Sequence, residues 1–551
     1  MKHTIPGLLL VAALAIFNSC KNDAGGTAYG AGATTVIDST LIAQHLKTLA
    51  SDEFLGRKPF TEGETKTVAY LEGELKKLGL EPGNNGSYFQ EVPLVEITPV
   101  PDSTMQIKGK NGNFTLKLRD DYVLYTQREQ ENIQVKDAEL VFCGYGVVAP
   151  EIGWNDYAGM DMKNKIAVVL VNDPDFGGGD TTLFKGNTMT YFGRWTYKYE
   201  EAARQGALGV LIIHETRAAG YPWLVPQGSL VPRLSLQTGN NGANYTAIQG
   251  WMTLTAAAQL FKAANVKGDE LFTKAKQKGF KPIPLGLTAS TGVKNTFKKS
   301  TSRNVVAMLR GTERPDETII YSTHWDHLGV GAPVEGDSIY NGAVDNASGT
   351  AALLAIAKAF TQLPEKPKRS MVFLFVTAEE QGLLGSEYYA AHPIFPVNKT
   401  VANINMDALN PNGRMKDLTI VGFGQSDLED YARAEAEKQG RYVQPEQEPE
   451  KGFYFRSDHF NFAKIGIPAL YASGSYDHWE KGKEYARAKS DEFEAAHYHQ
   501  PSDEYTTGAW DLGGITQDAA LFYNIGLKLA NETTFPDWKT GSEFKGIRKL
   551  Q

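Results

Sequence analysis

Cysteine is almost missing from this chain: Cys20 and Cys143 are the only two in 551 residues. Two thiols cannot build a disulfide framework, so the fold has to rest on its apolar core. Cys143 sits in the apolar run ELVFCGYGVV, where a buried, inert thiol is expected. Clusters of Lys and Arg are missing too. With 56 basic against 64 acidic residues and a net charge of −8, there is no concentrated positive face of the kind phosphate binding demands, and nucleic acid is excluded as a partner. Beyond residues 7–17 no apolar run approaches the length of a transmembrane helix. No G-x-S-x-G nucleophile elbow and no Walker sequence occurs, so neither a serine hydrolase of that type nor a P-loop enzyme is supported.

What is present suits two or three domains: the length exceeds one ordinary core, and 42% of residues are hydrophobic. Lys2 and His3 followed by the apolar stretch 7–17 (GLLLVAALAIF) read as an export signal. Asn18, Ser19 and Cys20 resemble a bacterial lipoprotein cleavage site, although Phe17 stands where Leu is usual. Residues 1–20 are therefore expected to be a lipoprotein signal peptide, with membrane attachment through lipid on Cys20 and a place in the bacterial cell envelope. Residues 21–35, rich in Gly, Ala and Thr, read as a flexible tether.

Residues 36–130 supply helices near 38–50 and 63–79 and alternating strands from about 90 to 126. Residues 131–280 have a different character, with strand candidates at 138–148, 165–171 and 209–214 and a helix near 196–206. The motifs NKIAVVLVN and KYEEAARQGALGVLII resemble a protease-associated domain inserted into a peptidase. His214 stands alone at a strand end and reads as a structural histidine. From about 303 to the end, strand, loop and helix alternate. The strand candidates 304–311, 317–323, 370–378, 400–408, 417–424 and 467–473 are near-continuous apolar runs, as buried parallel strands require. Helix candidates fall at 347–361, 383–391, 426–439 and 515–531. The fold class is α/β: a mostly parallel sheet with helices on both faces, divided by a β-rich insert, with residues 281–551 as its main part.

In such sheets functional side chains gather at the carboxyl ends of the strands. His324 and Asp326 follow the strand IIYST, Glu379 and Glu380 follow MVFLFVTA, and Asp407 ends ANINM. Asp345 lies just before a helix, and His499 lies in the loop YHQPSD. Carboxylates collected at one rim repel unless a cation compensates. Two imidazoles and three carboxylates without thiolate suit zinc or a similar borderline metal, and five ligands exceed what one catalytic zinc uses. Two zinc ions sharing Asp345 resolve the count: His324 and Asp407 complete one site, Glu380 and His499 the other. Neighbouring side chains diverge, so only one of Glu379 and Glu380 binds metal. Glu379 is taken as the general base and Asp326 as the carboxylate that fixes the His324 tautomer.

The motifs STHWDHLG, NGAVDNASG, VTAEEQGLLGS, NINMDAL and YHQPSDEY resemble those of the M28 family of di-zinc exopeptidases. The early segment LASDEFLGRKPFTEGE resembles that family as well, so the likeness spans most of residues 36–535. It implies a cis bond between Asp345 and Asn346 and favours His499 over His497 as the ligand. His327 falls off the motif and is expected to be structural or at the rim. Arg456, Asp458 and His459 are candidates for substrate contact or for orienting ligands. Asp477 and His478 read as surface or loop residues, and Tyr454, Phe455 and Tyr476 as pocket or packing aromatics. The expected activity is that of an aminopeptidase acting on peptides through a two-metal-activated water. The alternatives are a carboxypeptidase, for which Arg456 would help hold the terminal carboxylate, and an inactive binding protein, for which ligands should be missing.

Overall fold

The structure, a computed structural model, describes residues 37–178 and 183–548. The expected signal peptide, tether and Cys20 lie outside the described residues. Among the described residues no helix is long and apolar enough to cross a membrane.

At the centre runs the strand Arg314–His324, parallel to Arg369–Val376 on one side and to Thr400–Asn405 on the other. Ala469–Ser473 extends the parallel sheet beyond Thr400–Asn405. Every residue of Arg369–Val376 is buried, which is the pattern of a strand covered on both faces. The alternation of side chains splits this apolar run cleanly. Met371, Phe373 and Phe375, with Ile319 and Tyr321, face a core that includes the helices Ser348–Thr361 and Gly513–Asn531. Val372, Leu374 and Val376, with Ile320, face a second core closed by Tyr389 and Phe462. Helix and sheet approach closely at Gly526, where a Cβ would fall 1.9 Å from the Tyr321 hydroxyl oxygen. That hydroxyl donates to the Phe522 carbonyl at 2.7 Å.

The expectation of a parallel strand at 304–311 needs correcting. Those residues end a strand of 27 residues, Ile283–Leu309, whose Val305–Leu309 part runs antiparallel to Met371–Phe375. Its middle (KNTFKKSTSR) is polar and looks like a loop, but it pairs antiparallel with Phe89–Pro101 throughout. This pairing, together with the burial of Val92, Leu94, Val95 and Ile97 on the partner strand, holds the ribbon together. It joins the central sheet to a second lobe.

In that lobe Asn132–Phe142, Lys165–Leu170, Gly209–His214 and Ile248–Thr253 form a parallel sheet. One face packs Leu140, Phe142, Val168 and Leu211, and the other packs Val141, Ala167, Val169 and Ile212. The core of the lobe also draws in Met105, Leu116, Leu285 and Val293, so it reaches beyond the 131–280 stretch that its composition marks out. Cys143 is buried, and burial raises its thiol well above the ordinary range. His214 bonds the Tyr221 carbonyl at 3.0 Å. Both match the reading from sequence.

Candidate metal centre

The rim formed by the strand ends carries the predicted residues. His324 is the last residue of Arg314–His324, Glu379 and Glu380 follow Arg369–Val376, and Asp407 follows Thr400–Asn405. Asp345 sits in a bent turn that leads into Ser348–Thr361, and the Asp345–Asn346 peptide is cis. The Asn346 side chain ties three ligand-bearing segments together. Its amide donates to Thr323 Oγ1 at 3.0 Å and to the Met406 carbonyl at 3.1 Å, and its oxygen accepts from the Gly349 and Ala408 N–H groups.

His324 Nε2 stands 3.2 Å from Asp345 Oδ1 and 3.1 Å from Asp407 Oδ1. His499 Nε2 stands 3.3 Å from the other oxygen, Asp345 Oδ2, and 3.0 Å from Glu380 Oε2. Donor atoms at about 2.0 Å from a tetrahedral zinc lie about 3.3 Å from one another, and these four separations fall close to that value. His499 Nε2 and Glu380 Oε1 are buried without a hydrogen-bond partner. Converging donors that are only partly satisfied by one another fit a site shaped for cations. Glu379 and Glu380 diverge as expected. Glu379 Oε2 reaches no closer than 4.0 Å to His324 Nε2, while Glu380 turns toward His499.

Burial works against charge throughout this cluster, yet at His499 and Glu380 the mutual fields overcome it. Glu380 and Asp345 hold the His499 imidazole up to about 10, and His327 and His499 hold Glu380 down to about 2. Burial pushes Glu379 well above the ordinary carboxylate range, reinforced by Asp407 and Glu380. Protons thus occupy the His324 and His499 imidazoles in the metal-free chain, where a cation would replace them.

Several expectations need revision. The Asp326 carboxylate is 3.8 Å from His324 Nδ1, and it is the Asp326 backbone carbonyl that meets Nδ1, at 3.1 Å. The carboxylate instead accepts the Glu379 N–H at 3.0 Å, so it orients the segment bearing the two glutamates. His327 is neither rim nor remote: it is fully buried, with Nδ1 2.5 Å from Glu380 Oε1. The donor atoms of His327, Asp345 and Glu380 lie within 4.8 Å of one another, as do those of His324, Glu379 and Asp407. His497 turns away and bonds Ser502. Asp458 is buried and accepts from Ser386 Oγ at 2.6 Å, and burial raises it to about 7. The His459 ring packs against Tyr454 and Tyr471, and burial lowers it to about 3. Neither Asp458 nor His459 bonds a predicted ligand. Arg456 donates to the Lys451 carbonyl at 2.7 Å and lies over the Phe453 ring. Asp477 and His478 are buried in their loop, not at the surface. Tyr454 and Phe455 are buried in an aromatic cluster with Phe460 and Trp538. The Tyr476 backbone N–H is held by Asp417.

Two residues escaped the sequence reading. Ser457 Oγ donates to Asp407 Oδ2 at 2.6 Å and fixes that carboxylate. Asp503 accepts the Val344 and Asp345 N–H groups at 2.9 and 3.1 Å, which pins the loop of the shared aspartate. Asp503 stands inside the motif YHQPSDEY, four residues after His499, so a signal for it existed. Ser457 stands between the candidates Arg456 and Asp458, but its role depends on a contact across 50 residues of chain that the sequence does not show.

Comparison with known proteins agrees with this geometry. Residues 304–523 match the family described as Peptidase family M28. The chain contains an M28 peptidase domain. That domain holds the whole predicted constellation, from His324 to His499. Over 137 residues the chain is 36% identical to "Aminopeptidase NAALADL1" of Mus musculus, covering 23% of this chain and 17% of that protein. Over 456 residues it is 31% identical to "Glutamate carboxypeptidase 2 homolog" of Caenorhabditis elegans, covering 68% of this chain and 53% of that protein. The chain therefore spans less than two thirds of these relatives. Among solved structures, "Aminopeptidase from Aneurinibacillus sp. strain AM-1" superposes with a TM-score of 0.50 at 22% identity, covering 91% of this chain and 96% of that one. This shared fold places the M28 domain and the second lobe in one common architecture.

Proposed function

We propose that this chain is a zinc-dependent exopeptidase, an aminopeptidase that holds two zinc ions and removes N-terminal residues from peptides. One observation carries the reading: the two oxygens of Asp345 face different imidazoles, His324 and His499, each backed by a further carboxylate. His324, Asp345 and Asp407 would hold one ion, and Asp345, Glu380 and His499 the other. When bound, the zinc pair supplies Lewis acidity toward a water and toward the scissile carbonyl. Glu379, kept off both ligand sets, takes a proton from the attacking water and passes it to the departing amine. Its raised proton affinity suits a group that must hold a proton between these steps. Asp326 and Ser457 hold the Glu379 backbone and Asp407 in place. A cavity of about 320 Å³ bordered by Val344, Ala408, Met415, Phe493 and Asp503 adjoins the ligand loops and gives room for a side chain. The complete ligand set argues against an inactive binding protein. Within the same proposal, the second lobe is a protease-associated domain, and the chain is exported and attached by lipid at Cys20.

A carboxypeptidase is the second reading, favoured by Arg456 Nε and Arg194 Nε. Both are buried without an acceptor among the described residues, and such donors suit a carboxylate. Amino acid nitroanilides and peptides blocked at either end discriminate. The aminopeptidase releases nitroaniline, the release stops with a chelator and returns with zinc, and N-acetylation of the substrate abolishes it. Release of the C-terminal residue from the peptides that survives N-acetylation but stops on C-terminal amidation establishes the carboxypeptidase. No chelator-sensitive release from either panel defeats both. In cells the activity sediments with membranes, and a Cys20→Ala form does not; equal distribution of the two removes the lipid anchor.

A further inference from the structure

The segment LASDEFLGRKPFTEGE lies far from the metal ligands in sequence, and nothing above gives it a task. In the structure its residues Asp52–Arg57 form a tight turn against the floor of the metal centre. Gly56, at φ +61, is pressed so closely on the neighbouring chain that a Cβ would lie 2.4 Å from the Tyr340 carbonyl oxygen and 2.8 Å from that of Gly329. The turn delivers Arg57 into the interior, where only 1% of the residue is exposed.

The Arg57 guanidinium donates four hydrogen bonds, all to backbone carbonyls. Nε meets Trp325 at 2.9 Å, Nη1 meets Leu49 at 2.7 Å and Asn341 at 2.6 Å, and Nη2 meets Gly342 at 2.8 Å. Trp325 is the residue after His324. Asn341 and Gly342 open the loop that carries Asp345. A single planar group therefore joins the chain leaving one metal ligand to the chain entering another. No carboxylate among the described residues forms an ion pair with it, so its charge remains available to Asp503, Asp326, Asp345 and Glu380, whose fields all act on it. Carbonyl oxygens brought together in a buried place repel and cost stability unless a donor satisfies them. A rigid fork of N–H groups can meet several at fixed angles, which an ammonium cannot. Gly342 adds a constraint of its own. At φ +55, a Cβ there would fall 2.2 Å from the Asp345 carbonyl oxygen, so the loop has no slack with which to adjust if the clamp is lost.

We propose that Arg57 is a positioning residue of the metal centre: its guanidinium clamps the chain after His324 to the chain before Asp345 and so sets the spacing of those two ligands for zinc. The inference rests on the zinc reading above and adds to it a determinant of metal affinity outside the matched M28 region. Outer partners that orient ligands are worth roughly 10–100-fold in metal affinity, and Arg57 acts on two ligands at once.

The test uses the full chain stripped of metal, in wild-type, Arg57→Ala and Arg57→Lys forms. Zinc affinity is read by chelator competition, and ligand geometry by the visible spectrum of the cobalt-loaded protein. Circular dichroism and the metal-free Tm report folding. The expected result is a loss of zinc affinity of roughly 10–100-fold in Arg57→Ala, an altered cobalt spectrum and partial recovery with added guanidinium. Arg57→Lys, which keeps the charge but loses the fork, falls between. A folded Arg57→Ala with wild-type affinity and spectrum overturns the proposal. Should the alanine form fail to fold, Arg57→Lys decides: wild-type affinity and spectrum in that form overturn the clamp. A wild-type chain that takes no zinc brings down the zinc reading itself, an outcome distinct from either of these.

Discussion

Replacing Glu379 by Gln is expected to lower kcat by about 10²–10⁴-fold while the purified protein keeps its zinc. The substitution preserves shape. The Glu379 backbone N–H stays on Asp326 Oδ1, and an amide fills the volume of the carboxyl group. What it removes is the ability to accept and return a proton. Metal content should not change, because Glu379 stands 4.0 Å from His324 Nε2 whereas Glu380 approaches His499 Nε2 to 3.0 Å. Zinc per chain and steady-state kinetics on the same preparation check both halves. A Glu379→Gln protein that loses zinc reverses the roles of the two glutamates, and one that retains full turnover ends the assignment of Glu379 as the base.

Replacing Asp345 by Ala should remove zinc from both positions, not one. Its two oxygens face separate imidazoles, so a single deletion leaves His324, Asp407, Glu380 and His499 without their common partner. Breaking a buried charge pair by removing one member costs roughly 3–5 kcal/mol, here felt by both ions. By contrast, His499→Ala should weaken the ion on the Glu380 side chiefly. Loss of one ion only from Asp345→Ala would show that the aspartate does not bridge. The pH dependence follows from the same contacts. In the metal-free chain the His499 imidazole is held up to about 10, above its ordinary 6.5, so at neutral pH zinc must displace its proton. Affinity then rises with pH, about tenfold per unit for each proton displaced, and levels off only above that value. Calorimetric titration in buffers of different ionisation enthalpy counts the protons released. Zinc affinity independent of pH between 6 and 8 would contradict the protonated imidazole.

The parts of this fold legible in the sequence are those where one local signal sufficed. SMVFLFVTA reads as a buried strand because Met371 to Val376 are all apolar, and Arg369–Val376 is one. Four of the predicted ligands sit at or just beyond a strand end or just before a helix, and the five converge. Elements without such a signal went unread. The helix Gly482–Ala496 buries only Ala486, so its sequence has no apolar stripe to betray it. The polar middle of Ile283–Leu309 is a strand through its pairing with Phe89–Pro101 alone. His327 has the same neighbours in sequence as a bystander would, and only the fold brings it against Glu380.

By itself, then, the sequence determined the kind of chemistry and the residues that carry it, because ligand type and strand-end position are local properties of the chain. Tertiary structure decided which atom meets which. The opposed oxygens of Asp345, the capture of Asp407 by Ser457 and the carbonyls of Trp325, Asn341 and Gly342 gathered by Arg57 join segments tens to hundreds of residues apart. Such contacts leave no period or spacing in the chain, since they depend on how packed layers set distant backbone segments side by side.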